Sequence, residues 1–77
     1  MVTAYVLIDI STEVDAKDAL EMIRAVDGIK LAHLVVGPND CIVYLEVESQ
    51  DKAMATLKAI RAIPGVLRTD MRTAAEL

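Results

Sequence analysis

Few residues in this sequence are equipped for chemistry. The one histidine, His33, is readable as a general base or as a surface or interface side chain. The one cysteine, Cys41, follows a turn at the start of an apolar run. It is readable as a small buried hydrophobe or as a reactive thiol, and it has no partner for an internal disulfide. No His/Cys pair has metal-ligand spacing. Gly28, Gly37 and Gly65 are isolated, so no glycine-rich loop cradles a phosphate. The pattern implies no catalytic residue, no metal site and no cofactor.

Charged residues offer two readings each. Lys17, Asp18, Glu21 and Arg24 fit a solvated helix face, with a Glu21–Arg24 pair at i,i+3 worth only a few tenths of a kcal/mol. Arg68, Asp70 and Arg72 share one strand parity. They either pair and blunt a sheet edge against aggregation or hold a ligand carboxylate. The least generic segment is Gly37-Pro38-Asn39-Asp40. A turn that exposes amides beside a carboxylate can hold both ends of a free amino acid, the amides taking its carboxylate and Asp40 its ammonium. By spacing alone it is only a hairpin turn.

An internal repeat sets the elements that must position these residues. Leu20–Ile29 matches Leu57–Val66 at an offset of 37 residues, aligning Gly28 with Gly65. The same offset aligns Val6 with Val43, Ile8 with Leu45 and Ala16 with Ala53. Each half therefore reads as strand, helix, Gly stop and strand. The expected elements are a strand over Val2–Ile10, a helix over Asp15–Val26 and a strand over Ile29–Val36. After the turn come a strand over Cys41–Val47, a helix capped by Ser49 and running to about Ile63, and a strand over Val66–Thr73, with Ala74–Leu77 a frayed end. Two βαβ halves in the order βαββαβ predict an α+β, ferredoxin-like antiparallel sheet with both helices on one face.

The chain has 77 residues, 55% hydrophobic but only 3% aromatic, with no Phe or Trp. This length predicts one domain over residues 1–77. A chain of this size buries only about 60–65% of its unfolded surface, and the mean hydropathy of +0.41 is too high for one small core to absorb. Apolar residues fall on both parities of the central strands. Ala4, Val6, Ile8 and Ile10 point one way, Tyr5 and Leu7 the other. Cys41, Val43, Leu45 and Val47 oppose Ile42 and Tyr44 in the same manner. One face packs on the helices, so the other implies a homodimer with sheets face to face. A net charge of −4 argues against a DNA-binding surface. Charges interrupt every apolar run and no signal-peptide pattern is present, which predicts a cytoplasmic protein without a membrane span.

The series from His33 to Asp40, an apolar strand, and then Ile63-Pro64-Gly65-Val66-Leu67-Arg68-Thr69 resembles the ligand-binding domain of the Lrp/AsnC transcription regulators, the RAM domain. The resemblance covers about Thr3 to Thr73 and implies a βαββαβ fold, face-to-face dimers and rings, commonly octamers. It implies an amino-acid effector bound between dimers at Gly37, Pro38, Asn39 and Asp40, with Thr69 as a further candidate. Where the family usually has Thr, an aromatic and Thr, this chain has Val36, Asn39 and Met71. The first residues are already strand, so it resembles the stand-alone form that lacks a helix-turn-helix, one that senses effector or co-assembles with full-length regulators. Two other readings stand beside this one. Dimeric α+β barrels also include small monooxygenases and isomerases, and the domain is also readable as a purely structural assembly module.

Overall fold

The computed structural model describes residues 1–75. Glu76 and Leu77, half of the end expected to fray, lie outside the described residues. The elements are β1 (Val2–Ile10), α1 (Ala16–Arg24), β2 (Ile29–Leu34), β3 (Cys41–Val47), α2 (Gln50–Arg61) and β4 (Val66–Thr73). The sheet order is β2-β3-β1-β4, with every neighbouring pair antiparallel. This is the ferredoxin-like plan the repeat predicts.

Side-chain alternation divides the sheet into two faces. Ala4, Val6, Ile8 and Ile10 of β1 and Cys41, Val43 and Leu45 of β3 are buried. They join Ala19 and Ile23 of α1 and Ala53, Leu57 and Ile60 of α2 in one core, so both helices cover that face. Ile8, Ile23, Leu45 and Ile60 are wholly removed from solvent, each such burial contributing about 1.5–3 kcal/mol. Asp15 caps α1 by accepting from the Lys17 amide at 2.8 Å. Ser49 caps α2 by accepting from the Lys52 amide at 3.2 Å. Both caps satisfy amides that have no partner within the first helical turn.

Both helices end earlier than the apolar periodicity suggests, α1 at Arg24 rather than Val26 and α2 at Arg61 rather than Ile63. Val26 and Ile63 still pack on the core, but from the turn that follows. That turn reverses the chain at Gly28 (φ +96°) and Gly65 (φ +92°), a backbone cheap only for glycine. Each glycine carbonyl then docks on the opposite half. Gly28 O accepts from the Glu46 amide at 3.1 Å, and Gly65 O from the Ser11 amide at 2.7 Å. The edge strands repeat the symmetry. The register slips by one residue between Ile29 and Leu31 in β2, leaving Lys30 as the extra residue. It slips again opposite Asp9 and Ile10 in β4, leaving Leu67, which is 37 positions further on.

The other sheet face carries Leu31, Tyr44, Tyr5 and Arg72 in one row and His33, Ile42, Leu7 and Asp70 in the next. Tyr5 and Tyr44 pair directly across β1 and β3, ring centroids 5.2 Å apart and tilted by 50°. This face is mixed rather than purely apolar: a centre of rings and aliphatics with charge along β4. Among the described residues no helix is long and apolar enough to cross a membrane.

Candidate functional site

The segment between β2 and β3 folds as a tight reversal because Pro38 fixes its own φ and removes a donor. Strand β2 stops at Leu34, two residues short of the expected Val36, where the Val35 amide donates to Asp40 O at 2.9 Å and closes the turn. Val36 is left fully exposed. The Asp40 amide donates to Ile8 O at 2.9 Å, and Asp40 Oδ2 accepts from the Ile10 amide at 2.8 Å. Asn39 Nδ2 donates to Asp9 Oδ1 at 3.0 Å. The turn is therefore stapled to the end of β1 by two side chains. Among the described residues, the amides of Val36, Gly37 and Asn39 have no acceptor, and Asp40 Oδ1 has no partner.

The expected site residues do not all meet. Asp40 lines a hollow of about 280 Å³ with Ile10, Ser11, Thr12, Val14, Ala16, Leu34 and Val35. Its walls, aliphatic except for Ser11 and Thr12, hold no other charge. Pro38, Asn39 and Thr69 line a second, polar hollow of about 570 Å³ with Leu7, Asp9, Arg68 and Asp70. Gly37 sits exposed between them at the tip. The turn thus divides two surfaces. Thr69 borders the hollow of Asn39, but its hydroxyl leaves toward the helix side and meets Arg61.

The remaining candidates have plain roles. Met71, like Thr69, alternates toward the helices, and its side chain packs on the core. Arg72 Nη2 pairs with Asp70 Oδ2 at 2.9 Å. The hydrogen bond from Arg72 holds the Asp70 carboxyl below its ordinary value and raises the Arg72 guanidinium. These two form the edge pair rather than an empty carboxylate site. Cys41 is fully buried, and that burial pushes its thiol up, which makes it a poor nucleophile. His33 is exposed on edge strand β2. Loss of hydration and the Glu46 carboxylate push the Tyr44 phenol up. Among the described residues no three His, Cys, Asp or Glu side chains gather as metal ligands.

Two arginines have more defined partners than a solvated face suggests. Arg24 does not pair with Glu21. It donates through Nε and Nη2 to Ala32 O, at 3.0 and 2.7 Å, because the early end of α1 brings it over edge strand β2. Arg61 donates through Nε to Thr69 Oγ1 at 2.9 Å. No reading of motifs points to Arg61. The 37-residue offset, which sets it against Arg24, is the signal that finds it.

The family described as Lrp/AsnC ligand binding domain matches residues 3–76. No curated protein matches the chain in sequence. Among solved structures, the protein TTHA0845 from Thermus thermophilus superposes with a TM-score of 0.91 at 23% identity, over 100% of this chain and 96% of that one. AsnC of E. coli gives 0.88 at 18%, over 99% of this chain and 52% of that one. A feast or famine regulatory protein from M. tuberculosis, complexed with L-methionine, gives 0.83 at 19%, over 100% and 52%. The chain thus spans about half the length of these two regulators.

Proposed function

Because this chain belongs to the Lrp/AsnC ligand-binding domain family, we propose that it binds a free amino acid at the Gly37–Asp40 turn and reports the binding through its assembly. The observation that carries this reading is the state of Asp40. One carboxylate oxygen is fixed by the Ile10 amide, which orients the group, and the other is free to accept from an ammonium. The unbonded amides of Val36, Gly37 and Asn39 supply donors for a carboxylate. Ile10, Val14, Leu34 and Val35 beside Asp40 suit an aliphatic side chain. Methionine, the amino acid bound to the M. tuberculosis regulator, is of that kind.

The assembly begins with a homodimer. The open face has the composition of an interface, a centre of Tyr5, Leu7, Ile42 and Tyr44 edged by Asp9, Arg68, Asp70 and Arg72. Dimers then join into a ring at the Gly37–Asp40 turn, whose tip is exposed and faces a neighbouring dimer. An effector held between dimers couples its affinity to oligomer state. The same faces allow co-assembly with full-length regulators of the family, so the role is regulatory and non-enzymatic.

The test is mass by light scattering and melting temperature by thermal shift, with each common amino acid at millimolar concentration. One amino acid raising either quantity, and failing with Asp40→Asn, supports the sensor. Indifference to all of them leaves a structural assembly module.

A further inference from the structure

The internal repeat lets one half of this chain be read against the other. Arg24 and Arg61 are the last residues of α1 and α2, 37 positions apart. Ala32 and Thr69, which they contact, have the same spacing. In the first half the guanidinium grips the backbone, with two nitrogens on the Ala32 carbonyl. In the second half that grip is gone. Arg61 touches only the Thr69 hydroxyl, and only through Nε. Among the described residues neither η nitrogen of Arg61 has a hydrogen-bond or ion-pair partner. The Thr69 oxygen accepts from Arg61, so its hydroxyl hydrogen is still free to donate.

Both arginines stand in a last helical turn, where a cation complements the C-terminal end of the helix dipole. That accounts for an arginine at both positions. It does not account for the release of the second from the backbone. The surroundings have diverged as well. Arg61, Val66, Leu67, Arg68 and Thr69 line a groove of about 380 Å³. No carboxylate lines it, in a chain with twelve Asp and Glu. The first half's counterpart is smaller, about 230 Å³, and has Lys30 where the second has Leu67. Leu67 is 70% exposed, an apolar wall beside a free guanidinium. Free η nitrogens and a hydroxyl without a carboxylate in reach, next to an exposed apolar surface, describe half of a binding site. The guanidinium fork matches a carboxylate or phosphate in shape.

We propose that the groove between Arg61 and Thr69 binds a small organic oxyanion, a carboxylate or a phosphate ester. Its charged head meets the Arg61 η nitrogens and the Thr69 hydroxyl, and its apolar body lies on Val66 and Leu67. This site is separate from the Asp40 turn, and it stands whether or not an amino acid binds there.

The test is NMR titration of the intact chain with inorganic phosphate, acetate and hexanoate at constant ionic strength. The side-chain signals of Arg24 and Arg61 and the Leu67 methyls are followed. The Arg61 Nε–H and Leu67 signals should shift saturably while Arg24 stays still. Hexanoate should bind several-fold tighter than acetate, and the relative affinity of phosphate tells which head group is preferred. Arg61→Gln should abolish the Leu67 response, Thr69→Val should weaken it several-fold, and Asp40→Asn should leave it unchanged. Should Arg61→Gln not fold, Arg61→Lys keeps the charge without the fork and should bind several-fold more weakly. Equal shifts at Arg24 and Arg61, shifts that never saturate, or hexanoate no tighter than acetate would each overturn the assignment.

Discussion

Asp40 and Ile10 are 30 residues apart, yet the Asp40 carboxylate accepts the Ile10 amide hydrogen at 2.8 Å. This bond gives Asp40 a structural job beside the proposed binding one. One oxygen fixes the β2–β3 turn on β1, and the residue also lines the hollow beside it. Any variant of Asp40 therefore tests structure and binding together, and two variants are needed to separate them.

Asp40→Asn keeps an acceptor for the Ile10 amide and removes the charge. Its melting temperature should stay near that of the parent, while the response to amino acids disappears. Asp40→Ala leaves a partly buried amide unpaired, a loss of about 1–3 kcal/mol. In a domain of this size each kcal/mol lowers the melting temperature by roughly 4–8 °C. Melting curves of both variants, with and without amino acids, check this. An Asn variant that still responds would sink the ammonium role.

Adjacent residues on β1 should behave as opposites. Ile8 is wholly buried among the helices, so Ile8→Asp places an unpaired charge in the core and should prevent folding. Leu7 lies on the open face beside Ile42 and Asp70. Leu7→Asp should keep the circular dichroism of the parent but reduce its mass in light scattering to that of a monomer. An unchanged oligomer would place the interface elsewhere.

Stability should respond to pH at both ends of the range, for opposite reasons. The Asp70 carboxyl is held below its ordinary 3.8 by the hydrogen bond from Arg72. Its contribution is present above that value and is lost as pH falls through the lower folded value. The pair is exposed, so the effect is small. The Cys41 thiol is raised above its ordinary 9.0 by burial. Its contribution is complete below pH 9.0 and is lost as pH rises through the raised folded value. Urea melts should show the parent losing stability relative to Cys41→Ala above that pH. Iodoacetamide should label Cys41 only slowly at neutral pH until urea unfolds the chain.

The two turn glycines should not tolerate a side chain. A Cβ at Gly28 would lie 2.8 Å from Val47 Cγ1, and one at Gly65 would meet the Val14 methyls more closely still. Both also hold positive φ. Gly28→Ala and Gly65→Ala should each cost more than about 1 kcal/mol in chemical denaturation. Adding Val14→Ala to Gly65→Ala removes the two methyl collisions but leaves the Val14 Cβ at 3.1 Å and the backbone strain, so it should restore only part of the loss.

Strands β1, β3 and β4 are legible to the residue because their β-rich runs meet turn residues, Ser11-Thr12 after β1, Gly37–Asp40 before β3 and Pro64-Gly65 before β4. The cap at Ser49 is legible because a helix start needs an acceptor for its free amides. The helix ends are not, since Val26 and Ile63 keep the apolar period while already belonging to a turn. The candidate site is only partly legible. The turn is conspicuous in sequence, but that Asp40 and Asn39 would serve different hollows depends on which side of the sheet each side chain leaves.

What the sequence alone determined is local: the repeat, the two-faced strands, the glycine stops and the Gly37–Asp40 turn all follow from periodicity and backbone preference. What the tertiary structure decided is longer in range. It placed Arg24 on the Ala32 carbonyl and Arg61 on the Thr69 hydroxyl, gave each half a register slip at Lys30 and Leu67, and bound Asp40 to Ile10. The physical reason is that hydrogen bonds between distant segments depend on the register of one strand against another. Two sequence halves built on one plan therefore carry the same arginine into different surroundings, a difference that no local pattern encodes.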